Sequence, residues 1–188
     1  MRINYYCIYW LFIVFLAFQS ASGQNVIADK IIQNISVNQS DLRTENLKKQ
    51  ASEYFEAYDK SDVDRLVELT HPKSFEKDGS RENFAKMMKH FLKLFSEVYE
   101  FRSSLVESSS GLFEIDNYLF GVVPYKLEGI RNFEKNKVVK LSSIVGISSD
   151  NGKNWKFVNG LAFSELFPDV AKKVQIPNER QFINGKEQ

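Results

Sequence analysis

The stretch Phe84-Ala85-Lys86-Met87-Met88-Lys89-His90-Phe91-Leu92-Lys93-Leu94-Phe95-Ser96-Glu97-Val98-Tyr99-Glu100-Phe101-Arg102-Ser103-Ser104-Leu105 changes its hydrophobic period partway along. Phe84, Met87, Met88, Phe91, Leu92, Phe95 and Val98 recur at the spacing of one helical face, with Lys86, Lys89 and Lys93 toward the opposite side. Ser80, after the turn at Asp78-Gly79, offers the side-chain oxygen of a good N-cap. From Tyr99 the period is two: Tyr99, Phe101 and Leu105 alternate with Glu100, Arg102 and Ser104, as in a half-solvated antiparallel strand. A helical half followed by a stranded half predicts an α+β domain.

Toward the N-terminus the helical period continues. Leu47, Ala51, Tyr54, Phe55 and Tyr58 form one stripe of a helix beginning near Thr44. Ser61 with Asp64 three residues on has the form of a capping box and opens a shorter helix with Val63, Leu66, Val67 and Thr70 inward. Pro72 ends it by pushing His71 out of the α region. Toward the C-terminus, strands are expected over Tyr118–Leu127, Lys137–Ile147 and Asn154–Phe163, with Pro124 requiring a bulge or a free edge. Asp150-Asn151-Gly152-Lys153 joins the last two, its Asn-Gly suited to a type I′ turn. The expectation is three helices packed on a curved antiparallel sheet of four or more strands. A short helix over Glu165–Val174, capped by Ser164, and a polar tail from Pro177 complete the chain.

The first residues read as an address. Arg2 precedes an uncharged run from Tyr5 to Phe18, whose apolar heart is about a dozen residues, the length of a signal-peptide core and short of a bilayer span. Ala21-Ser22-Gly23 satisfies a small-x-small cleavage rule, so residues 1–23 are expected to be removed and 24–43 to form an arm before the domain at 44–163, with 164–188 as a C-terminal helix and tail. Export to the periplasm or outside the cell follows, with no stable membrane insertion after cleavage. Cys7, the single cysteine, leaves with the leader, which excludes thiol chemistry and a disulfide framework in the mature chain. Trp155 remains as its only tryptophan.

With 25 Lys and Arg against 24 Asp and Glu in 188 residues, the chain lacks the basic excess of a nucleic-acid binder. No phosphate loop, nucleophile elbow or H-E-x-x-H is present, so no cofactor is implied. The two histidines, His71 and His90, show no metal-ligand spacing, and no metal site is expected. His71 at its helix end suits a cation facing the last carbonyls.

Two resemblances add to this. Ser148-Ser149-Asp150-Asn151-Gly152-Lys153-Asn154-Trp155 resembles the Asp-box of sialidase-like propellers, with Asn154 where Thr is usual. One copy in a chain too short for a propeller implies a hairpin, with the Asp folded onto the turn and the Trp packed below, and no glycosidase activity. The segment from Ser52 to Leu69, with its aromatic stripe and the turn Lys60-Ser61-Asp62-Val63-Asp64-Arg65-Leu66, looks like the opening of the NTF2-like superfamily, which includes the SnoaL-like cyclases and ketosteroid isomerase. That resemblance covers residues 44–163 and implies a cone whose helices and curved sheet enclose a pocket. It places Tyr54 where ketosteroid isomerase keeps its oxyanion-binding tyrosine, and a general base near Glu76 or Asp78.

Three functions are therefore open. The first is a binding module holding a small apolar ligand against Tyr54, Tyr58, Tyr125 and Trp155. The second is a cofactor-free isomerase, cyclase or hydratase using Tyr54 with Glu76 or Asp78. The third is an assembly module, a homodimer joined through the outer face of the third and fourth expected strands.

Overall fold

The computed structural model of the protein describes residues 42–76, 78–107, 109 and 111–188; the expected leader and nearly all of the expected arm lie outside them. Among the described residues four helices come first: α1 (Leu42–Asp59), α2 (Val63–Leu69), the single turn α3 (Lys73–Glu76) and α4 (Arg81–Val98). The α3 turn is not among the three expected helices; it follows the break at Pro72, with the Ser74 and Phe75 amides donating to the carbonyls of His71 and Pro72. Ser80 caps α4 by accepting from the Asn83 amide at 3.1 Å. The cap of α2 is Asp62 and not Ser61: the Asp62 carboxylate accepts from the Arg65 amide at 3.0 Å, while Ser61 turns the chain with a φ of 54°.

The sheet is antiparallel, seven-stranded and open. Strand β1 (Tyr99–Val106) and strand β2 (Leu112–Ile115) pair with the same edge of β3 (Tyr118–Arg131); β4 (Lys137–Ser148) follows β3, then β6 (Arg180–Ile183) and β7 (Lys186–Glu187), with β5 (Lys156–Asn159) also on β4. Pro124 falls in the gap between β1, which ends opposite Tyr125, and β2, which begins opposite Gly121. The Glu107 amide donates to the Pro124 carbonyl there, so the missing proline N–H faces a free stretch of edge.

Three differences from the expected elements have local causes. The fourth strand stops at Asn159, whose side chain accepts from the Leu161 amide and opens α5 (Gly160–Leu166), with α6 (Pro168–Ala171) after it; Ser164 lies inside a helix and caps none. The segment expected as tail returns as β6, pairing residues 180–183 with 138–141 of β4. In β1 a bulge between Phe101 and Ser103 reverses which residues face inward. Leu105, expected inside, is therefore exposed, while Ser104 and Val106 turn in.

Helix α1 lies on one face of the sheet. Leu47, Ala51 and Phe55 pack there with Val123, Tyr125, Ile144, Trp155 and Phe157, all buried. A Cβ at Gly121 or Gly146 would come within 2.4 Å of Leu47 side-chain carbons, so these two glycines let the helix seat so closely. Ala57, Leu66 and Leu92 join α1, α2 and α4. On the opposite face Phe120, Val122, Val145, Ile147 and Val158 are covered by Phe163, Leu166, Phe167 and Val170 of α5, α6 and their junction. The most apolar part of the face expected to join two subunits is thus roofed by the chain's own C-terminal segment.

Candidate functional site

The hairpin between β4 and β5 is closed upon itself. Asn151 and Gly152 have φ of 59° and 81°, the left-handed pair that a type I′ turn requires. The Asp150 carboxylate accepts from the Ser148 hydroxyl at 2.8 Å, the Asn154 amide at 2.9 Å and the Asn154 side chain at 2.7 Å. Those bonds, the Asn154 amide foremost, hold its pKa down at about 2. Trp155 lies buried beneath, its ring N–H donating to the Gly152 carbonyl at 3.0 Å. Asn46 and Gln50 of α1 donate to the Lys153 carbonyl, and the Gln50 carbonyl oxygen accepts from the Trp155 amide. This is the geometry that the Asp-box resemblance implies, and Trp155 serves it as a packed anchor.

The other three expected ligand residues gather at the far half of α1. Tyr54 and Tyr58 stand one turn apart, and Tyr125 comes up from β3 with its ring 4.5 Å from Phe55. Burial, reinforced by Tyr125, pushes the Tyr54 phenol up to about 12, although the Thr70 hydroxyl bonded to it works the other way. Tyr125 is also raised to about 12, by burial first and by the nearby Glu179 charge, against a hydrogen bond with Ser142. Tyr58 is raised by burial, then by Tyr54, Tyr125 and Asp59. All three phenols are neutral donors across the physiological range.

Tyr58 also opens outward. Its ring makes edge contacts with Phe95 and Phe101, which stack on each other at 4.8 Å, and Phe95 stacks on Tyr99 at 4.9 Å. Together with Leu92 and Asp59 they line a cavity of about 360 Å³ at the C-terminal end of α1, within the range of small-molecule sites. The Ser104 hydroxyl donates to Asp59 at 3.1 Å, a contact that the β1 bulge makes possible by turning Ser104 inward. Asp59 is a surface residue, yet partial burial of its carboxyl raises its pKa, with the Ser104 bond opposing.

Glu76 and Asp78 sit elsewhere. They flank the turn from α3 to α4, which is tied to α4 by Phe75 on Phe84 and by the Asn83 side chain on the Asp78 carbonyl. The tyrosines belong to α1 and β3. Two acids absent from the expected set lie near them. Asp59 shares the cavity lining with Tyr58, and Glu179, from the segment expected as tail, accepts from Ser142 at 3.1 Å and pairs with Lys140 at 2.9 Å. His71 is not a cation on helix carbonyls: its Nδ1 accepts from the Lys73 amide, and burial with Lys73 and Lys156 nearby lowers its pKa to about 4. Among the described residues no group of three or more His, Cys, Asp or Glu is placed to hold a metal ion, and no helix is long and apolar enough to cross a membrane.

No family model, curated protein or solved structure matches this chain. The fold and the cavity therefore define its class at the level of an α+β protein in which helices precede a large open antiparallel sheet.

Proposed function

We propose that this is an exported, non-catalytic binding module on an NTF2-like cone, holding a small apolar ligand at the C-terminal end of α1. One observation carries the reading: the cavity walled by Tyr58, Phe95, Tyr99 and Phe101, three of whose rings stack in series and offer flat apolar faces. The helix order before the sheet and the seating of α1 against β3 and β4 support the cone. The uncharged core of residues 8–18 and the small residues at 21–23 support export with cleavage near Gly23. Native mass spectrometry of the protein purified from its own host tests both points. A chain starting near Gln24 with a discrete extra mass, lost on denaturation and absent from Phe95→Ala, is the expected spectrum. An empty chain that takes up no apolar compound defeats the binding module.

A second reading, a cofactor-free isomerase, cyclase or hydratase, is favoured by Asp59. A carboxyl whose proton is held more tightly than usual, beside the neutral Tyr58 phenol at a cavity edge, pairs a proton carrier with a hydrogen-bond donor. In that case the retained compound is recovered chemically changed from the wild type and unchanged from Asp59→Asn.

A further inference from the structure

A second, separate groove adjoins the aromatic cavity at Leu92. It runs on the other side of Leu92 and Ser96, with a volume of about 550 Å³, and is lined also by Ser61, Val63, Lys86, Lys89, His90 and Lys93. Ser61, Leu92 and Ser96 line both spaces, so a single elongated molecule can lie across them along α4. The chemistry changes along that path. One end offers the faces of Phe95, Tyr99 and Phe101; the other offers three ammonium groups and an imidazole within two turns of one helix.

The described residues lining the groove include no carboxylate; Asp59 and Glu100 belong to the aromatic cavity. Lys86, one turn from Glu82, lies within that carboxylate's field, whereas Lys89 and Lys93 form no ion pair among the described residues. Like charges spaced three and four apart on a helix repel, and an anion laid between them relieves that repulsion. Val63 and Leu92 give the groove an apolar floor, which an inorganic ion would not use.

We propose that the site takes an anionic amphiphile of the long-chain carboxylate class, its head on Lys89 and Lys93 and its chain running over Leu92 into the aromatic cavity. The inference rests on the reading of that cavity as a ligand site and adds the head group. The direct test is calorimetric titration of the purified mature chain with dodecanoate, 1-dodecanol and butyrate, each below its micelle concentration. Dodecanoate is expected to bind about tenfold more tightly than dodecanol, with the advantage shrinking several-fold as salt is raised from ~50 to ~500 mM. In Lys89→Gln/Lys93→Gln the ratio of the two affinities falls toward one. Dodecanol binding as tightly as dodecanoate overturns the head-group assignment and leaves the apolar cavity standing. Butyrate binding as tightly as dodecanoate also overturns the proposal, because the lysines then act alone as a surface anion patch. Binding of none of the three overturns it as well. A compound still retained by the host-purified chain would in that event keep the binding module and exclude only this ligand class.

Discussion

Helix α1 ends in two opposite environments. At its N-terminal half, Arg43, Asn46 and Gln50 reach the 148–155 hairpin, where Asn46 and Gln50 donate to its backbone carbonyls and Gln50 accepts from the Trp155 amide. At its C-terminal end, Tyr58 and Asp59 face a cavity, and among the described residues Asp59 accepts a side-chain hydrogen bond from the Ser104 hydroxyl alone. The hairpin carboxylate is held charged by its donors, while the cavity carboxyl is pushed toward its neutral form by lost hydration. One helix thus carries a finished structural joint at one end and residual chemical capacity at the other. Groups with all their partners inside the chain stabilise the fold; groups left short of partners are the ones with something to offer a ligand.

The largest test of this contrast is Trp155→Ala. Trp155 is 1% exposed and packs under the hairpin against the α1 side of the sheet. Truncation should cost about 3–5 kcal/mol in urea unfolding, the range for a large aromatic lost from a packed core. Phe95→Ala, at a half-buried ring on the cavity wall, should cost clearly less while releasing any bound compound. Equal losses for the two would mean that the cavity end is as much a core as the hairpin end, and the distinction would fall.

The contrast also runs between two aspartates. Asp150 ionises at about 2 in the folded chain against 3.8 when free. A depressed pKa stabilises the fold above the free value, and that stability is lost as pH falls from about 4 to about 2. The loss should be about 1 kcal/mol once solvent screening is allowed for. Stability measured against pH in wild type and Asp150→Asn checks it: the variant should lack this part of the acid slope. An unchanged slope would show that the hairpin does not depend on the charge.

How much of this the sequence discloses depends on how far apart the partners lie. The Asp150 turn is legible because Ser148, Asp150, Asn151, Gly152, Asn154 and Trp155 are neighbours in the chain, and local chemistry suffices. Helix α4 and its Ser80 cap are legible for the same reason. The Asp59–Ser104 pair is not, since it depends on the β1 bulge, and strict alternation through 99–105 points Ser104 the wrong way. Gly129 is the one mark the bulge leaves: it pairs with Phe101, and a Cβ there would stand 2.8 Å from the Glu100 carbonyl. Glu179 is hidden because a four-residue strand carries little periodicity. Asn184-Gly185, with φ of 50° and 82°, repeats the turn signal of 151–152 and would have marked β6 and β7 as a hairpin. Asp116-Asn117, with φ of 51° and 65°, does the same for β2 and β3. The coming together of Tyr54, Tyr58 and Tyr125 needs the whole packing of α1 on β3, which no spacing within α1 encodes.

The smallest expected effect separates the two ends most sharply. Asp59 has a folded pKa above its free value, so the fold disfavours its charge. For a carboxyl shifted in that direction the linkage reverses: the charged form weakens the folded state at neutral pH, and stability rises as pH falls through the folded pKa. Asp59→Asn removes the charge while keeping an oxygen for the Ser104 hydroxyl, so the variant should be as stable as wild type or slightly more so at pH 7. The gain is only a fraction of that implied by a buried acid, because Asp59 is an exposed residue whose carboxyl is only partly shielded. Urea unfolding of Asp59→Asn and Asp150→Asn side by side at pH 7 should therefore give effects of opposite sign or a clear gap between them. Destabilisation by Asp59→Asn as large as that by Asp150→Asn would make the Ser104 bond the dominant interaction and Asp59 a structural residue like its counterpart. A neutral or stabilising result means that the chain tolerates an unfavourable charge at the cavity edge, as expected where a carboxyl is positioned for what binds there and not for the fold.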